Sequence, residues 1–230
     1  MSATKIAFTL DANGKRTPLE LTISQAVIAG WTGRDPVARD KHIKELEEIG
    51  IAPPASTPIY YRVSALRLTT ADAIESTGTE SSGEVEFVLI ASGGKTYVGV
   101  GSDHTDRKVE TYNITVSKQM CDKPLAAELW ALDEIAGHWD QIIMRSYATI
   151  NGERVLYQEG TVNGMLPVAE LIQRGFNTDA LPDGTAMFCG TFAAKGGIRP
   201  ASRFDYEIED PVLKRTIKSG YDVIELPVLG

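Results

Sequence analysis

The sequence predicts an α+β chain dominated by curved antiparallel sheet, with a few covering helices. Three observations predict this class. Period-two alternation of apolar and polar residues runs through much of the chain, Asn-Gly pairs punctuate two such stretches, and only a few segments carry helical spacing.

With 230 residues, 43% of them hydrophobic, the chain can bury a sizeable core. No repeat, low-complexity tract or linker divides it. We therefore expect one domain over 1–230, with 1–34 forming an N-terminal hairpin region and 35–230 the core that carries the chemistry. The net charge of −8, without any Lys/Arg cluster, argues against nucleic-acid binding. Small-molecule chemistry is the expectation, and an anionic substrate would need a metal or a few placed Lys and Arg. Cys121 and Cys189 stand far apart with no C-x-x-C pattern, which reads as two reduced thiols. The stretch M-S-A-T-K-I-A-F-T-L lacks a signal-peptide pattern, and no apolar run approaches the roughly 18 residues of a membrane span. A cytoplasmic protein with no membrane partner is expected.

Taken in order, residues 5–23 alternate around Ala12-Asn13-Gly14, a strong hairpin signal. The segment 35–50 predicts a helix with Asp35 as N-cap, Pro36 at its first position, Val37, Ile43 and Leu46 on an apolar face, and Gly50 as its stop. Prolines at 53, 54 and 58 then call for an extended connector. From Ile59 to Val116 the pattern is mainly that of strands. Residues 123–140 predict a second helix, with Leu125, Leu129, Leu132 and Ile135 sharing a face. A hairpin about Asn151-Gly152 spans 141–161, a short helix over 168–175 closes at Gly175, and 181–192, 202–211 and 216–226 supply the last strands.

Glu84 and Glu86 are two apart in a strand-like run, so both carboxylates share a face that turns apolar at Val88 and Ile90. Alone, the pair reads first as a solvated strand edge and only second as a site. Asp103, in a short polar loop after an apolar strand, adds a third oxygen donor. Three carboxylates suit a hard cation, Mg²⁺ first and then Mn²⁺ or Ca²⁺, and no His/Cys spacing suits zinc. His42 and Glu45 stand at i, i+3 on the first helix, either as a solvated surface pair or as an acid/base dyad. Lys118 is placed to stabilise developing negative charge. His104 adjoins Asp103, and His138 reads as a packing residue. The string Gly93-Gly94-Lys95-Thr96 is no phosphate loop, because Leu89 stands where the first glycine is required.

The order of these motifs resembles a known pattern. D-K-H-I-K-E-L at 40–46 is similar to the helix bearing a His-x-x-Glu dyad in the fumarylacetoacetate hydrolase superfamily. P-P-A-S-T-P-I-Y-Y-R-V-S-A-L at 53–66 is similar to its proline-rich segment, with Arg62 where lysine is usual. G-E-V-E-F-V-L-I at 83–90 resembles its E-x-E metal strand, G-S-D-H-T-D-R at 101–107 its metal loop ending on Arg107, and Lys118 its active-site lysine. The stretches 150–165, with Gln158, 181–192, with Thr191, and 204–210 resemble its later motifs. The likeness covers residues 35 to 220 and is greatest to an uncharacterised bacterial branch, a domain of unknown function.

This resemblance implies a mainly antiparallel, mixed β-sandwich or β-roll of the fumarylacetoacetate hydrolase C-terminal type, assembled as a homodimer. It implies a Mg²⁺ or related ion on Glu84, Glu86 and Asp103, and catalysis by His42, Glu45 and Lys118. Substrate contacts would come from Arg62, Arg107, Gln158 and Thr191. Members of the superfamily hydrolyse C–C bonds of acylpyruvate-like substrates, and relatives decarboxylate oxaloacetate or isomerise and hydrate 2-oxo acids. The expectation is a metal-dependent enzyme acting on a small anionic 2-oxo or 1,3-dicarbonyl carboxylate. Arg62, the shortened spacing before Lys118 and A-A-K-G-G-I-R-P at 193–200 depart from the pattern around the substrate. A dimeric binding protein that keeps the fold without the chemistry is the rival expectation.

Overall fold

A computed structural model of the chain describes residues 3–48 and 53–229. Strands β1 (Thr4–Ala12) and β2 (Lys15–Ile23) form the expected first hairpin. Its turn places Asn13 at φ 52° and Gly14 at φ 68°, the left-handed pair that a type I′ turn demands. Strand β3 (Gln25–Gly30) leads to helix α1 (Pro36–Glu48). The Asp35 carboxylate caps α1, accepting hydrogen bonds from Val37 N at 2.9 Å and Ala38 N at 3.3 Å. Val37, however, is 76% exposed and builds no apolar face. The Leu46 side chain and Gly50 lie outside the described residues.

Strands β4 (Ile59–Val63), β5 (Leu68–Thr69), β6 (Ala73–Thr77) and β7 (Ser81–Ser82) precede a long hairpin of β8 (Val85–Ser92) and β9 (Lys95–Ser102). Gly93-Gly94 forms its turn, so the Gly-Gly-Lys-Thr string joins two strands as expected. After β10 (Thr105–Asp106) come two short helices, α2 (Arg107–Glu110) and α3 (Ile114–Met120), where the alternation predicts strand. Capping decides this. Asp106 Oδ1 accepts from Val109 N at 2.8 Å, and Asn113 Oδ1 from Val116 N at 3.0 Å.

The predicted second helix is a larger departure. Its first half forms β11 (Lys123–Pro124) and β12 (Glu128–Ala131), and only α4 (Leu132–Ile135) and a 3₁₀ turn at Ala136–Gln141 are helical. Leu129 and Trp130 are both buried, one in each of two cores, because β12 is wedged between β1 and β9. A strand buried on both faces has no polar alternation to reveal it. Beyond it, β13 (Ile143–Ile150) and β14 (Glu153–Thr161) make the second Asn-Gly hairpin. Helix α5 (Val168–Phe176) runs past Gly175 and ends at Asn177, whose φ is 55°. Gly175 instead makes room, since a Cβ there would lie 2.7 Å from the Tyr60 ring. Strands β15 (Thr185–Phe188), β16 (Arg203–Asp210) and β17 (Arg215–Leu226) complete the chain.

Two large sheets result, an eight-stranded one ordered β2-β1-β12-β9-β8-β15-β3-β4 and a five-stranded one ordered β14-β13-β16-β17-β6. The N-terminal hairpin is thus one margin of the larger sheet. Antiparallel pairs dominate, and parallel ones join β1 to β12, β15 to β3, β11 to β5 and β17 to β6. One core lies between the sheets, where Val85, Phe87 and Leu89 meet Phe204, Tyr206 and Ile208. The opposite face of the larger sheet gathers Val88, Ile90, Ile6, Leu21 and Phe188 into a second core. Burying each such side chain contributes on the order of 1.5–3 kcal/mol. Among the described residues no helix is long and apolar enough to cross a membrane.

Candidate metal centre

The ladder between β8 and β9 sets Glu86 opposite Gly101 and Val85 opposite Ser102. One step further, Asp103 N donates to the Glu84 carbonyl at 2.9 Å, so Asp103 leaves β9 beside Glu84. Glu84, Glu86 and Asp103 each present an oxygen, and the three atoms lie within 4.8 Å of one another. Glu86 and Asp103 are buried, while Glu84 is half-buried. Glu86 shares its face with Val88 and Ile90, as the period-two reading requires.

Each carboxylate has a different electrostatic setting. Glu86 Oε2 accepts from the Gly190 N–H at 2.6 Å. Burial first, and then the charges of Asp103 and Glu84, push its carboxyl well above the ordinary carboxylate range. Gly190 has φ 110°, and a Cβ there would lie 1.9 Å from Thr32 Oγ1, so only glycine brings this N–H to Glu86. At Asp103 burial also opposes ionisation, but the ammoniums of Lys118 and Lys123 outweigh it and hold the carboxyl well below its usual range. Lys118 Nζ donates to Asp103 Oδ2. Lys123 Nζ lies 3.0 Å from Oδ1 and also donates to the His104 carbonyl.

Lys118 sits on α3, not after a strand as expected, with its Nζ 3.8 Å from Glu84 Oε2 and 5.9 Å from the Tyr61 ring centre. Burial disfavours its charge, but Asp103 and Glu84 raise its pKa above the ordinary lysine range. Arg107 reaches Glu84 Oε1 at 3.3 Å, Glu110 at 2.9 Å and Ser82 Oγ at 2.7 Å. His104 turns to the opposite sheet, its Nδ1 2.9 Å from the Tyr221 hydroxyl, which is also 2.8 Å from Ser102 Oγ. Burial, then Lys123 and Arg107, push His104 down to about 3, so its ring is neutral.

The structure thus gathers Glu84, Glu86, Asp103, Lys118 and Arg107. It also brings in Lys123, which sequence reasoning missed because a lysine before proline at the start of an expected helix carries no distinguishing signal. Gln158 and Thr191 lie close by but bind each other at 2.8 Å, and Thr191 Oγ1 donates to Val85 O at 2.7 Å. Arg62 is exposed, between buried Tyr61 and Val63, and donates to Ser24 O at 3.2 Å, so it is not drawn to the carboxylates. His138 Nε2 lies 2.9 Å from Asp210 Oδ1. His42 and Glu45 are one turn apart on α1, and their side chains lie outside the described residues.

The donor set fits a hard divalent cation. It is all oxygen, and among the described residues no cation lies within ion-pair distance of Glu86.

The pattern that defines the family described as "Protein of unknown function (DUF2848)" matches residues 29–221. The chain belongs to this family. No curated protein matches this DUF2848 chain. Among solved structures, Cg1458 with inhibitor shares 20% identity at a TM-score of 0.63, over 93% of this chain and 84% of that one. The 2-keto-3-deoxy-D-arabinonate dehydratase complexed with magnesium and 2,5-dioxopentanoate shares 16% identity at a TM-score of 0.63, over 90% of this chain and 74% of that one. At such identities the likeness shows a common fold. These neighbours are fumarylacetoacetate-hydrolase-like, and the α+β class expected from the sequence fits the DUF2848 structure.

Proposed function

We propose that this DUF2848 chain is a divalent-metal-dependent enzyme acting on a small 2-oxo acid. The observation that carries the reading is the convergence of Glu84, Glu86 and Asp103 within 4.8 Å, beside the Lys118 ammonium. These three carboxylates would hold the ion, Mg²⁺ first, with Mn²⁺ or Ca²⁺ as substitutes. When bound, the ion supplies Lewis acidity toward the substrate's carboxylate and neighbouring carbonyl. Fold kinship with a magnesium-complexed dehydratase supports the assignment.

The chain's own residues do the rest. The Gly190 N–H and the Arg107 guanidinium fix the orientations of Glu86 and Glu84. Lys118, kept charged by its acidic neighbours, presents N–H donors to negative charge growing on a substrate oxygen. Of the four residues assigned to substrate contact, Arg107 is the one in ion-pair contact with the carboxylates, its Nη2 3.3 Å from Glu84 Oε1. His42 and Glu45 take the proton from a water that attacks the distal carbonyl of an acylpyruvate-like substrate. The C–C bond then breaks, and the proton returns to the released carbon. C–C hydrolysis is the reaction we put first. The dehydratase among the fold neighbours favours a lyase as the second reading, in which His42 and Glu45 take a proton from the carbon beside the substrate's carbonyl and give it to a departing hydroxyl, which leaves as water. We also assign a homodimer, and sedimentation showing only a 25.0 kDa species would refute it.

The test is a Mg²⁺-dependent turnover screen of acylpyruvates, oxaloacetate and 2,4-diketo sugar acids, with Glu86→Ala as the blank. We expect turnover that EDTA abolishes and that His42→Ala or Glu45→Ala lowers by roughly 10²–10⁴. Absence of turnover on every compound, together with no bound divalent ion at millimolar Mg²⁺, would remove the assignment.

A further inference from the structure

Lys123 is the buried charge that the mechanism above leaves without a role. It lies in β11 beside Pro124 with a side chain that is 0% exposed. An ammonium withdrawn this far from water persists only where it is paired. Its partner Asp103 is already bound through Oδ2 to Lys118, so a second ammonium is not needed to keep that carboxylate charged. The consequence falls on the pocket as a whole. Glu84, Glu86 and Asp103 bring up to three negative charges together, Glu110 adds a fourth against Arg107, and Lys118, Lys123 and Arg107 set three positive charges within ion-pair distance of Glu84 and Asp103.

A divalent ion approaching these carboxylates finds them largely neutralised. It is also repelled by ammoniums a few ångströms away, a strong effect even at an effective dielectric constant of about 20. Once the ion is in place the pocket carries excess positive charge, which an anionic ligand removes. We propose that Lys123 sets the charge of this pocket so that a divalent ion binds weakly alone and tightly together with an anionic 2-oxo carboxylate. The inference rests on the metal reading above. Linkage makes the coupling reciprocal, so the anion also binds more tightly in the presence of the ion. Lys123 is in this sense a positioning residue, acting through Asp103 and touching neither reactant.

The experiment titrates Mn²⁺ into the metal-free, full-length protein and follows free Mn²⁺ by electron paramagnetic resonance, with and without oxalate. Oxalate is an unreactive dianion that presents the O–C–C–O edge of a 2-oxo carboxylate, and a protein-free oxalate titration is subtracted. In the wild type, oxalate is expected to lower the Mn²⁺ dissociation constant tenfold or more. In Lys123→Met, which keeps the unbranched stem, Mn²⁺ alone should bind at least tenfold more tightly, and oxalate should change that by less than threefold. A purely structural lysine predicts the opposite, because a loosened Asp103 weakens Mn²⁺. Equal wild-type affinity with and without oxalate overturns the proposal, as does weaker Mn²⁺ binding by a cooperatively folded Lys123→Met. If that variant does not fold, the wild-type comparison alone decides the coupling. A wild type that takes up no Mn²⁺ even with oxalate overturns the metal reading itself, an outcome distinct from binding without coupling.

Discussion

Gln158 reaches from β14 to hold the loop that carries Gly190 and Thr191 against β8. Its Oε1 accepts from Val85 N and Ser146 Oγ, each at 3.0 Å, and its Nε2 donates to Thr191 Oγ1 at 2.8 Å and Phe192 O at 2.6 Å. The side chain is 1% exposed. Gln158→Met keeps the unbranched shape and removes all four bonds. The cost arises mainly in the buried groups left unpaired, at about 1–3 kcal/mol each. Val85 N–H is stranded inside the sheet and the Phe192 carbonyl loses its donor, whereas the Ser146 and Thr191 hydroxyls can rotate to other partners. The expected loss is therefore about 2–5 kcal/mol. For a chain of this size that lowers Tm by roughly 5–15 °C. Urea denaturation should show a lower midpoint at unchanged slope. A loss below about 1 kcal/mol with a raised KM would refute this clamp and make Gln158 a substrate contact.

Two further perturbations test the centre directly. Glu86→Gln should abolish stoichiometric Mn²⁺ binding while sparing the metal-free fold. Because the Glu86 carboxyl is raised in the folded state, its stabilising contribution is complete below the ordinary carboxylate pKa of about 4.3 and is lost as pH rises through the folded value. Metal-free wild type should accordingly lose stability relative to Glu86→Gln as pH climbs above about 4.3, and parallel Tm curves for the two proteins would contradict the burial argument. Gly190→Ala forces a Cβ against Thr32 Oγ1 at a φ of 110°. It should lower stability by about 2 kcal/mol or more and weaken Mn²⁺ with it, and intact Mn²⁺ affinity in this variant would show that the Gly190 N–H does not orient Glu86.

What could be read from the sequence was governed by local rules. Asn13-Gly14 and Asn151-Gly152 announce their hairpins because few other residues accept two successive left-handed conformations. Asp35-Pro36 announces α1 by capping chemistry, and alternation placed Glu84 and Glu86 on the face that Val88 and Ile90 complete. Where burial is two-sided the rule fails. Leu129 reads with Leu125, Leu132 and Ile135 as a helix face, whereas it and Trp130 lie on opposite faces of a strand buried between two cores. The helices carrying Arg107 and Lys118 read as strand in the sequence, because the apolar alternation masks the caps that Asp106 and Asn113 make. Lys123 had no local signal, since its partners are distant side chains brought together by the fold.

The division of labour in the centre follows from this. The β8–β9 ladder fixes the Cα positions of the carboxylates, but nearly everything that orients or balances them comes from elsewhere. Tyr221 of the five-stranded sheet binds Ser102 and His104, while Gln158 from the same sheet binds Val85. Lys118 and Lys123 arrive on the segment after β10, and Gly190 arrives on the loop after β15. Three carboxylates on one face are therefore a feature of local sequence, whereas their charge balance is a property of the folded chain. A substitution in the five-stranded sheet that spares every acidic residue, such as Tyr221→Phe, should then alter metal affinity through Ser102 and the Glu84 N–H that Ser102 Oγ accepts at 3.2 Å.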